Sequence, residues 1–474
     1  MGGGPGTQEL SVTPTAIPGL LVLRLPVHGD ARGWFKENWQ WAKMTALGLP
    51  DFAPVQHSVA HNGAVGTTRG IHGEPWDKLV SIVAGRAFGA WIDLREGPTF
   101  GTVHSETLDE ATAVFVPRGV GNSYQTLVPE TVYSYLVNAH WSADATYTHL
   151  NLADPTAAVP WPIPLTDAVV SDKDRGHPEL TALEPVTGPA TLILGPGGQV
   201  GRALRTVLPD ARSVGRDELD LADPRSVEAF DFDGVGTVLN AAAWTAVDAA
   251  ENDRAGAWAA NAVGVAALAR AAVRHPFTLV HYSSDYVFDG TGGSGPDGAW
   301  REDDPIAPLS VYGQSKAAGD LALSLVPRHY LLRTSWVVGD GGNFVTTMRR
   351  LARDGVSPSV VDDQVGRLTF TEELARATLH LLSSGSAYGT YHLSNGGRPG
   401  SWADLAREVF AHEGRERGDV TGVSTAQYAE ISGKSGAPRP ARSVLDLAKI
   451  EGTGYRPTDQ WESLTAYLRR DAPV

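Results

Sequence analysis

The sequence has 474 residues, of which 42% are hydrophobic and 20% are charged, so it is long enough to bury two or three cores. A net charge of −15 argues against nucleic acid or an anionic membrane as the main partner, so local Arg and Lys must bind any anionic substrate. The absence of cysteine excludes disulfides and thiolate metal sites. Because the first residues lack signal-peptide features and no apolar run of 18 residues is uninterrupted, we expect a cytoplasmic protein.

The first part of the chain has a β pattern. Between residues 20 and 158, short apolar or alternating runs are separated by Gly, Pro, Asp and Asn, at Leu79–Val83, Ala87–Leu94, Ala113–Val116 and Thr131–Asn138. Short strands with frequent turn signals are typical of a sandwich or jelly roll, in which side chains fill the interior or enclose one ligand. We therefore predict an all-β domain over residues 1–178, with one helix at Trp39–Gly48.

Polar side chains that can do chemistry recur along these strands, namely Arg32, Glu37, His57, Arg69, His72, Lys78, Tyr135 and Asp174. Taken singly, each such residue is most often solvated or hydrogen-bonded at the surface. Their order is more specific, because they fall in the strings DARGWFKE, GTTRGIH, DKLVSIVAG, YSYLV and SDKD. These strings, together with FVPRGVGN, resemble in order the landmarks of the dTDP-4-dehydrorhamnose 3,5-epimerase family, a cupin-like jelly roll, over residues 10–178.

The resemblance implies a catalytic role for three residues. His72 is the base that removes the proton beside the 4-keto group, Asp174 orients and charges it, and Tyr135 returns a proton from the opposite face. Abstraction of a proton beside a ketone needs a base that works near neutral pH and cationic donors at the developing enolate. Substrate contacts are implied for Arg32, Glu37, Arg69, Lys78 and Asn122.

The sequence departs from this family at three places. Asn122 stands where the family has His, Gly89 stands where it has Asp, and Gly73 and Glu74 replace the HYQ string that follows the base. The predicted base, its orienting acid and the proton donor are all kept. The first domain is therefore expected to epimerise at two carbons or one, or only to bind a sugar nucleotide.

A linker is predicted at residues 179–190, which carry Pro185 and Pro189 and no clear apolar periodicity. The string TLILGPGGQVG follows it, and an apolar run that breaks into glycines is typical of a strand turning into a helix. Such a turn lets the backbone approach a pyrophosphate at a helix N-terminus. The predicted cofactor contacts here are Gly195, Gly198, Gln199, Val200 and Gly201.

Residues 191–474 alternate between strand and helix patterns. Apolar strands are predicted at Val235–Leu239, Phe277–Tyr282, Tyr330–Leu332 and Tyr391–Leu393, and helices at Arg225–Phe230 and Ala255–Arg274. Strand and helix in alternation indicate an α/β fold with a Rossmann-like, doubly wound parallel sheet. Its ligands are expected at the carboxyl ends of the strands.

Three residues after these strands form a predicted catalytic set. Tyr312 and Lys316 are four residues apart on a helix, so they share one face, and Ser284 ends a strand. Tyr312 can act as general acid to a carbonyl oxygen as hydride arrives, while Lys316 lowers the phenol pKa and binds a ribose. Ser284 can donate a second hydrogen bond to that oxygen.

Longer strings in this half, LNAAAWTAVDAAE, HYSSDYVFDG, VYGQSKAAGD, LRTSWVVG and PRPARSVLD, resemble the dTDP-4-dehydrorhamnose reductases, which are extended short-chain dehydrogenases. The resemblance covers about residues 190–465 and implies a small C-terminal substrate subdomain. Implied cofactor contacts are Asn240, Ala241 and Ala242. Implied substrate contacts are Val247, Asp285, Tyr286, Trp336, Asn343 and Arg439. Ser284, Trp244 and Leu368 replace the usual family residues without removing a catalytic group.

The cofactor is predicted to be NADPH or NADH. About 20 residues past Gly195, Arg216 suits the 2′-phosphate of NADPH while Asp217 suits the 2′-hydroxyl of NADH, and we favour NADPH. Asp220 is expected to contact the adenine. No metal site is predicted, because no His residues show paired ligand spacing.

The leading hypothesis is a bifunctional enzyme that epimerises a dTDP-4-keto sugar and reduces it, forming a homodimer through the jelly roll. A second hypothesis makes the jelly roll a noncatalytic sugar-nucleotide-binding or oligomerisation module beside a reductase. A third makes the whole chain a binding or regulatory protein on a reductase scaffold, and the intact Ser284, Tyr312 and Lys316 argue against it.

Overall fold

The computed structural model describes residues 9–142, 145–275, 277–433 and 436–470. The chain divides into two compact units, Met1–Gly188 and Pro189–Val474. Each unit has its own buried apolar clusters.

The first unit is built from antiparallel strands. These are β1 Ser11–Pro14, β2 Leu21–Arg24, β3 Val27–Asp30, β4 Gly33–Lys36, β5 Gln56–Asn62, β6 Thr68–Gly73, β7 Lys78–Ala84, β8 Ala87–Asp93, β9 Val103–Leu108, β10 Thr112–Val116, β11 Val120–Thr126, β12 Thr131–Val137 and β13 Thr148–His149. Its helices are α1 Trp41–Ala46, α2 Asp172–Arg175 and a 3₁₀ turn, Leu180–Ala182. One sheet has the order β1-β2-β10-β7-β12-β5 and the other β13-β6-β11-β8-β9.

The two sheets share one core. Val80, Val114 and Tyr133 from the first sheet pack with Trp91 and Tyr124 from the second. Alternate residues of each strand enter this core, so the opposite faces of the strands remain available to solvent or to loops. The predicted all-β jelly-roll class is confirmed, and each predicted strand overlaps an observed one.

The segment predicted as a linker is packed against the first unit for most of its length. Leu180 is buried in a cluster with Ile71 and Leu94, and the Val186 amide donates to the Leu94 carbonyl at 2.7 Å. The apolar residues Leu180, Leu183 and Val186 are three apart, and they pack on the face of the second sheet that holds Ile71 and Ile92. The boundary between the two units falls between Gly188 and Pro189.

The second unit alternates strands and helices. Its strands are β14 Ala190–Leu194, β15 Arg212–Val214, β16 Val235–Asn240, β17 Thr278–Ser284, β18 His329–Thr334, β19 Val337–Val338, β20 Ser359–Val361, β21 Val365–Gly366, β22 Thr369–Phe370, β23 Gly389–His392, β24 Gly400–Ser401 and β25 Thr421–Val423. Its helices are α3 Gln199–Val207, α4 Pro224–Ala229, α5 Val247–Asn252, α6 Arg254–Trp258, α7 Gly264–Arg274, α8 Val311–Leu323, α9 Phe344–Arg353, α10 Thr371–Ser383, α11 Trp402–His412, α12 Thr425–Ser432, α13 Ala448–Gly452 and α14 Gln460–Arg470.

The main sheet is parallel, with the order β15-β14-β16-β17-β18-β23. The chain leaves β14 for β15 on one side and then crosses to β16 on the other side. This reversal opens a crevice at the carboxyl ends of β14 and β16, where open α/β sheets bind their ligands. Apolar clusters cover both faces of the sheet, and a third cluster joins α9, α11 and α14 in a C-terminal subdomain, so the doubly wound prediction is confirmed.

The Ala-rich helix was predicted at Ala255–Arg274, and the structure adds a π-helical turn inside it. Arg254–Arg274 is continuous through a π-helical turn at Ala259–Val263 and is long and apolar enough, by length and composition, to cross a membrane. Its residues Val265, Leu268 and Ala272 are packed in the main core of the second unit. It therefore has the character of a buried core helix.

Gly89 generates a prediction about the first unit. A Cβ at this position would overlap the ring of Trp91, with Cζ2 at 3.0 Å and Cζ3 at 3.1 Å, and Trp91 is fully buried. We expect Gly89→Ala to destabilise the first unit by about 1–3 kcal/mol, as overpacking does. Hydrogen exchange should speed up in β8 and β11 and stay unchanged in the second unit. Gly188→Ala is the matched control, because a Cβ there meets nothing within 4 Å; equal exchange in both variants would contradict the packing argument.

Candidate active sites

The glycine turn of the second unit leaves an open cradle. Gly195 has a φ of +72°, and a Cβ on it would lie 2.8 Å from the Cα of Ala242, so its glycine is required by packing. A Cβ on Gly201 would overlap the Gly195 carbonyl oxygen. A Cβ on Gly198 meets only that oxygen, at 3.5 Å, and one on Gly197 meets nothing within 4 Å.

This cradle fits a dinucleotide pyrophosphate. Gly198 is the N-cap of α3 and provides no side-chain cap, so the first N–H groups of the helix face the open space. The cradle also lies at the switch point of the sheet. The predicted contacts Gln199 and Val200 are engaged with the protein itself, because Gln199 Nε2 donates to the Gly342 carbonyl at 3.1 Å and Val200 packs on the core.

Asn240 and the two alanines after it end β16 beside the glycine turn. The Asn240 Oδ1 accepts the Ala242 N–H at 3.2 Å, and the Ala241 N–H donates to the Leu194 carbonyl at 3.1 Å. These bonds fix the backbone that Gly195 approaches. The predicted cofactor contacts from the two strand ends thus lie together.

Arg216, the candidate for binding a 2′-phosphate, is paired with Asp220, the predicted adenine contact. Arg216 Nε lies 3.2 Å from Asp220 Oδ2, and the Arg216 side chain is mostly exposed. Asp220 Oδ1 also accepts the Ala222 N–H at 2.9 Å. The charges at this end of the crevice are balanced, so they favour neither a 2′-phosphate nor a 2′-hydroxyl by themselves.

Ser284 hydrogen-bonds Tyr312, and Lys316 lies one helical turn after Tyr312 on α8. Burial raises the pKa of Tyr312 to about 12, against the lowering effect of its hydrogen bond with Ser284, so Tyr312 keeps its proton at physiological pH. The Lys316 Nζ donates to the Tyr282 carbonyl at 2.6 Å, and burial lowers the pKa of Lys316 to about 8. A protonated phenol beside a buried lysine is suited to donate a proton to a carbonyl oxygen.

Asp285 and Tyr286 lie next to this set. The Ser284 Oγ donates to Asp285 Oδ1 at 3.0 Å, and burial raises the pKa of Asp285 to about 7. The Tyr286 ring meets the Tyr312 ring edge-on, with centroids 5.7 Å apart. Both predicted sugar contacts therefore border the catalytic phenol.

Arg439 links the C-terminal part of the chain to the same region. Its Nη2 lies 2.9 Å from both carboxylate oxygens of Asp248, and it also hydrogen-bonds Tyr286. Val247 precedes Asp248 at the start of α5 and is half-buried. The positions of Val247, Arg439 and Tyr286 agree with a single substrate region.

Trp336 and Asn343 have structural contacts of their own. Trp336 stacks on Trp402 with centroids 3.8 Å apart, so an aromatic surface is held at this edge of the subdomain. Asn343 caps α9, because its Oδ1 accepts the Thr346 N–H at 2.9 Å and its Nδ2 donates to the Gly339 carbonyl at 2.8 Å. A nucleotide contact by Asn343 would have to compete with this cap.

In the first unit, His72 and Asp174 form a pair. The His72 Nε2 lies 3.0 Å from Asp174 Oδ1, and His72 remains partly exposed while Asp174 is buried. Ser171 holds Asp174 in place by accepting its N–H at 3.1 Å at the start of α2. A buried carboxylate that contacts an accessible imidazole orients the ring and stabilises its protonated form.

Lys78 and Tyr135 come from the sheet opposite His72. Lys78 is buried, its Nζ contacts Glu74 Oε2, and it lies 4.9 Å from the centroid of the Tyr135 ring. Arg69 is mostly exposed, and its Nε donates to Asn62 Oδ1 at 3.1 Å. Because β6 and β12 belong to different sheets, base and phenol approach the interior from opposite sides.

Asn122 and Gly89, the two departures from the family pattern, both accommodate the buried Trp91 side chain. The Asn122 Oδ1 accepts from Trp91 Nε1 at 2.8 Å and from the Tyr133 hydroxyl at 3.1 Å. The Trp91 ring occupies the space above Gly89 where a larger residue would stand. A neutral, hydrogen-bonded wall thus stands where the epimerase family that the first unit resembles has titratable groups, and the His72–Asp174 pair is kept.

The predicted nucleotide contacts of the first unit are local and exposed. Arg32 pairs with Asp30 at the tip of the β3–β4 hairpin, and Glu37 pairs with Lys43 of α1 at 2.6 Å. Within the described parts of the chain, neither contacts His72 or Tyr135. His57, also considered from the sequence, bonds Ser134 Oγ at 2.7 Å.

Two histidines beside His72 were missed by sequence reasoning. His149 pairs with His72 across β13 and β6, and its ring stacks on His177 with centroids 4.5 Å apart and planes 9° apart. Ligand atoms of the three rings lie within 4.8 Å of one another, but two stacked, nearly parallel rings do not aim their in-plane nitrogens at one point. Strand pairing brings His149 beside His72, and His177 follows α2 three residues after Asp174, so no local motif indicated this grouping.

Comparison with known proteins agrees with both sites. A family model described as the RmlD substrate binding domain matches residues 190–472, and one described as dTDP-4-dehydrorhamnose 3,5-epimerase matches residues 14–182. A protein named RmlC homolog from Streptococcus pyogenes is 44% identical over 176 residues, which cover 36% of this chain and 89% of that protein. The chain joins a member of the dTDP-4-dehydrorhamnose 3,5-epimerase family to a member of the RmlD family.

Relatives of the RmlD unit are covered almost completely. The dTDP-4-dehydrorhamnose reductase of Aggregatibacter actinomycetemcomitans is 38% identical over 298 residues, covering 59% of this chain and 97% of that protein. A reductase structure from Clostridium acetobutylicum is 33% identical, covers 59% of this chain and 98% of that one, and has a TM-score of 0.54. A Bacillus anthracis reductase in complex with NADP is 29% identical over 60% of this chain and 100% of that one, with a TM-score of 0.54.

The predicted role of the Tyr312 phenol as proton donor in the RmlD unit can be tested directly. Tyr312→Phe keeps the ring and its packing and removes only the proton, so ketone reduction should fall by about 10²-fold or more while cofactor affinity stays close to wild type. Steady-state rates and a cofactor titration measure both. Tyr282→Phe is the control, because its hydroxyl bonds Thr378 Oγ1 at 2.8 Å on the other face of β17. Near-normal reduction by Tyr312→Phe would contradict the assignment.

Substitutions at Gly198 and Gly201 should separate effects on cofactor binding from effects on folding. Gly198→Val places a branched side chain in open space, so we expect weaker cofactor binding with unchanged stability. Gly201→Ala overlaps the Gly195 carbonyl, so we expect a lower Tm of the RmlD unit. Fluorescence titration and calorimetry measure the two effects; an unaltered titration of Gly198→Val would show that the turn only serves packing.

Proposed function

We propose that this chain catalyses two consecutive steps that form dTDP-L-rhamnose, namely 3,5-epimerisation of dTDP-4-dehydro-6-deoxyglucose and NAD(P)H-dependent reduction of the 4-keto group. The observation that carries the proposal is that each unit has a complete catalytic set of its own, His72 with Asp174 and Ser284 with Tyr312 and Lys316. The family model that matches the first unit and a relative of the second unit are named for these two reactions.

The epimerase chemistry follows from the placement of base and acid. His72 takes the proton from a carbon beside the ketone, and Asp174 stabilises the imidazolium that forms. The enolate oxygen develops negative charge, and Lys78 is a buried cation whose Nζ lies 4.9 Å from the centroid of the Tyr135 ring. Tyr135 belongs to the opposite sheet, so it returns a proton to the other face of the carbon and inverts its configuration.

The reductase chemistry uses the second set. The reduced nicotinamide supplies the hydride when it is bound at the glycine turn. The Tyr312 hydroxyl donates its proton to the ketone oxygen, and Ser284 holds that hydroxyl by a hydrogen bond. Lys316 lies one helical turn from Tyr312 and is buried, and it can restore the phenol proton.

The cofactor is NADPH or NADH, and we favour NADPH. Arg216 at the end of β15 can exchange Asp220 for a 2′-phosphate because it is exposed and paired to a single carboxylate. A related reductase is described in complex with NADP.

The noncatalytic alternative for the first unit rests on Asn122 and Gly89. The Trp91 side chain hydrogen-bonds Asn122 and fills the space beside Gly89, so the two residues belong to one altered wall of the site. The His72 side chain of the His72–Asp174 pair remains accessible. The intact pair therefore favours catalysis over simple binding.

The edge strands of the first unit and the net charge of the chain bear on its assembly and partners. We propose a cytoplasmic homodimer formed through the first unit, because β5 is the edge strand of its sheet and exposes Val59. The net charge of −15 supports a sugar nucleotide bound by local cations, with neither nucleic acid nor a membrane as partner.

Replacing His72 tests the bifunctional proposal. His72→Ala should stop solvent deuterium from entering C3 and C5 of the keto sugar, because protons beside a ketone exchange slowly without a placed base. The same variant should still reduce a pre-epimerised ketone at the wild-type rate, since Tyr312 belongs to the other unit. Nuclear magnetic resonance of the sugar product measures both results.

His61→Ala is the matched control, because His61 is exposed, lies in the same unit and pairs only with Glu130. Deuterium at a single carbon in the wild-type protein would show that the altered wall limits epimerisation to one position. Failure of the wild-type protein to incorporate deuterium, together with normal reduction of an L-configured ketone, would establish the noncatalytic alternative.

A further inference from the structure

A chain of buried side chains joins the glycine turn to the catalytic lysine. Asn240 and His281 are direct partners in the parallel pairing of β16 and β17, and each is 1% exposed. Asn240 Nδ2 lies 2.9 Å from His281 Nδ1, and His281 Nε2 lies 3.1 Å from Lys316 Nζ. His281 is not a member of the proposed catalytic set of Ser284, Tyr312 and Lys316.

The orientation of the Asn240 amide decides where His281 carries its proton. Asn240 Oδ1 accepts the Ala242 N–H, so its Nδ2 is the atom that faces the imidazole and donates to Nδ1. Burial holds the pKa of His281 well below its usual range, so the ring has one proton only. A neutral ring that accepts at Nδ1 carries its proton on Nε2.

That proton points at Lys316. The Nε2–H can donate to Nζ only when Nζ has a lone pair, which means that Lys316 is the uncharged amine. The amine still donates one N–H to the Tyr282 carbonyl. A Lys316 ammonium would face the Nε2–H with no acceptor there.

The charged and titratable groups around Lys316 come from three elements. On its own helix, Tyr312 lies one turn before it and Asp320 one turn after it; Asp320 raises the pKa of Lys316 but is itself paired with Arg333 of β18 at 2.9 Å. His281 belongs to β17, and Asp285 follows that strand beside Tyr312. Burial has the larger effect and lowers the pKa of Lys316 to about 8.

We propose that His281 is a positioning residue that favours the uncharged form of Lys316 in the cofactor-free enzyme, so that binding of the nicotinamide dinucleotide is coupled to uptake of one proton by Lys316. The dinucleotide brings a negatively charged pyrophosphate to α3 and ribose hydroxyls that accept hydrogen bonds from an ammonium. Both favour the charged form in the complex. The proton comes from solvent and binds to the lone pair of Nζ.

Proton uptake by Lys316 determines the direction in which cofactor affinity changes with pH. Because the pKa of Lys316 is lower in the free enzyme than in the complex, affinity is highest below the free-enzyme value of about 8 and falls as pH rises through it. We expect Kd to rise about tenfold per pH unit above that value, until the pKa of the complex is reached. Below about pH 7 the affinity should be independent of pH.

The test is calorimetric titration of the full-length protein with NADPH at pH 8.5, in two buffers that differ in ionisation enthalpy. The wild-type protein should take up about 0.5 to 1 proton per cofactor, and uptake should vanish near pH 6.5. NADH should give the same uptake, because the proton binds to Lys316. NADH also serves as a control, since it lacks the 2′-phosphate of NADPH, which is itself a titratable group.

His281→Gln should lose the uptake and flatten the dependence of Kd on pH, because the Gln side-chain oxygen can accept from a Lys316 ammonium. Asn240→Asp should act in the same direction, because a carboxylate only accepts and moves the His281 proton to Nδ1. His392→Gln is the matched control: His392 is also fully buried, but it bonds the Trp300 carbonyl at 2.9 Å.

The proposal rests on the proposed cofactor binding by the RmlD unit. The outcomes distinguish a failure of cofactor binding from a failure of the role given to His281. Absence of binding by the wild-type protein would overturn both. Normal binding without proton uptake, or uptake that His281→Gln leaves unchanged, would overturn the role of His281 alone.

Discussion

Burial of the Lys316 amino group is the constraint on which the second unit depends. A charge removed from water costs several kcal/mol unless hydrogen bonds and counter-charges replace the solvent. Lys316 is 1% exposed, and its neighbours on β17 supply a carbonyl oxygen and an imidazole while Asp320 supplies a carboxylate. These groups meet only because the parallel sheet ends its strands at one edge, with α8 packed across them. The same edge holds the glycine turn, so fold, cofactor cradle and proton donor are set by one arrangement.

The first unit solves a different problem, which is to place base and acid on opposite sides of a substrate. Two sheets that pack face to face provide this directly, since β6 holds His72 and β12 holds Tyr135. Trp91 is the largest side chain of the shared core, and its indole N–H needs an acceptor when it is buried. Asn122 supplies that acceptor and Gly89 supplies the space, so a change in the core reaches the wall of the site without moving the His72–Asp174 pair.

The sequence was sufficient for the fold class of both units and for pairs of residues whose spacing is local. Tyr312 and Lys316 share a helix face, and Gly195 to Gly201 form one turn, so periodicity and motif were enough. Contacts across strands were beyond such reasoning: His149 lies beside His72 only through strand pairing, and Trp91 meets Asn122 only across β8 and β11. Asn343 was predicted to contact nucleotide, but its side chain caps α9, a use that its position before Phe344 could have suggested.

Two active sites in one chain must also work under one set of conditions. An imidazole base acts near neutral pH, where it can both take and release a proton. The reductase needs its phenol protonated, and burial raises the pKa of Tyr312 to about 12, far above that range. Lys316, with a pKa lowered to about 8, can change its charge in the same range at little cost. The keto sugar that leaves the first unit is the substrate that the second unit reduces, so a shared working pH lets both reactions proceed under the same conditions.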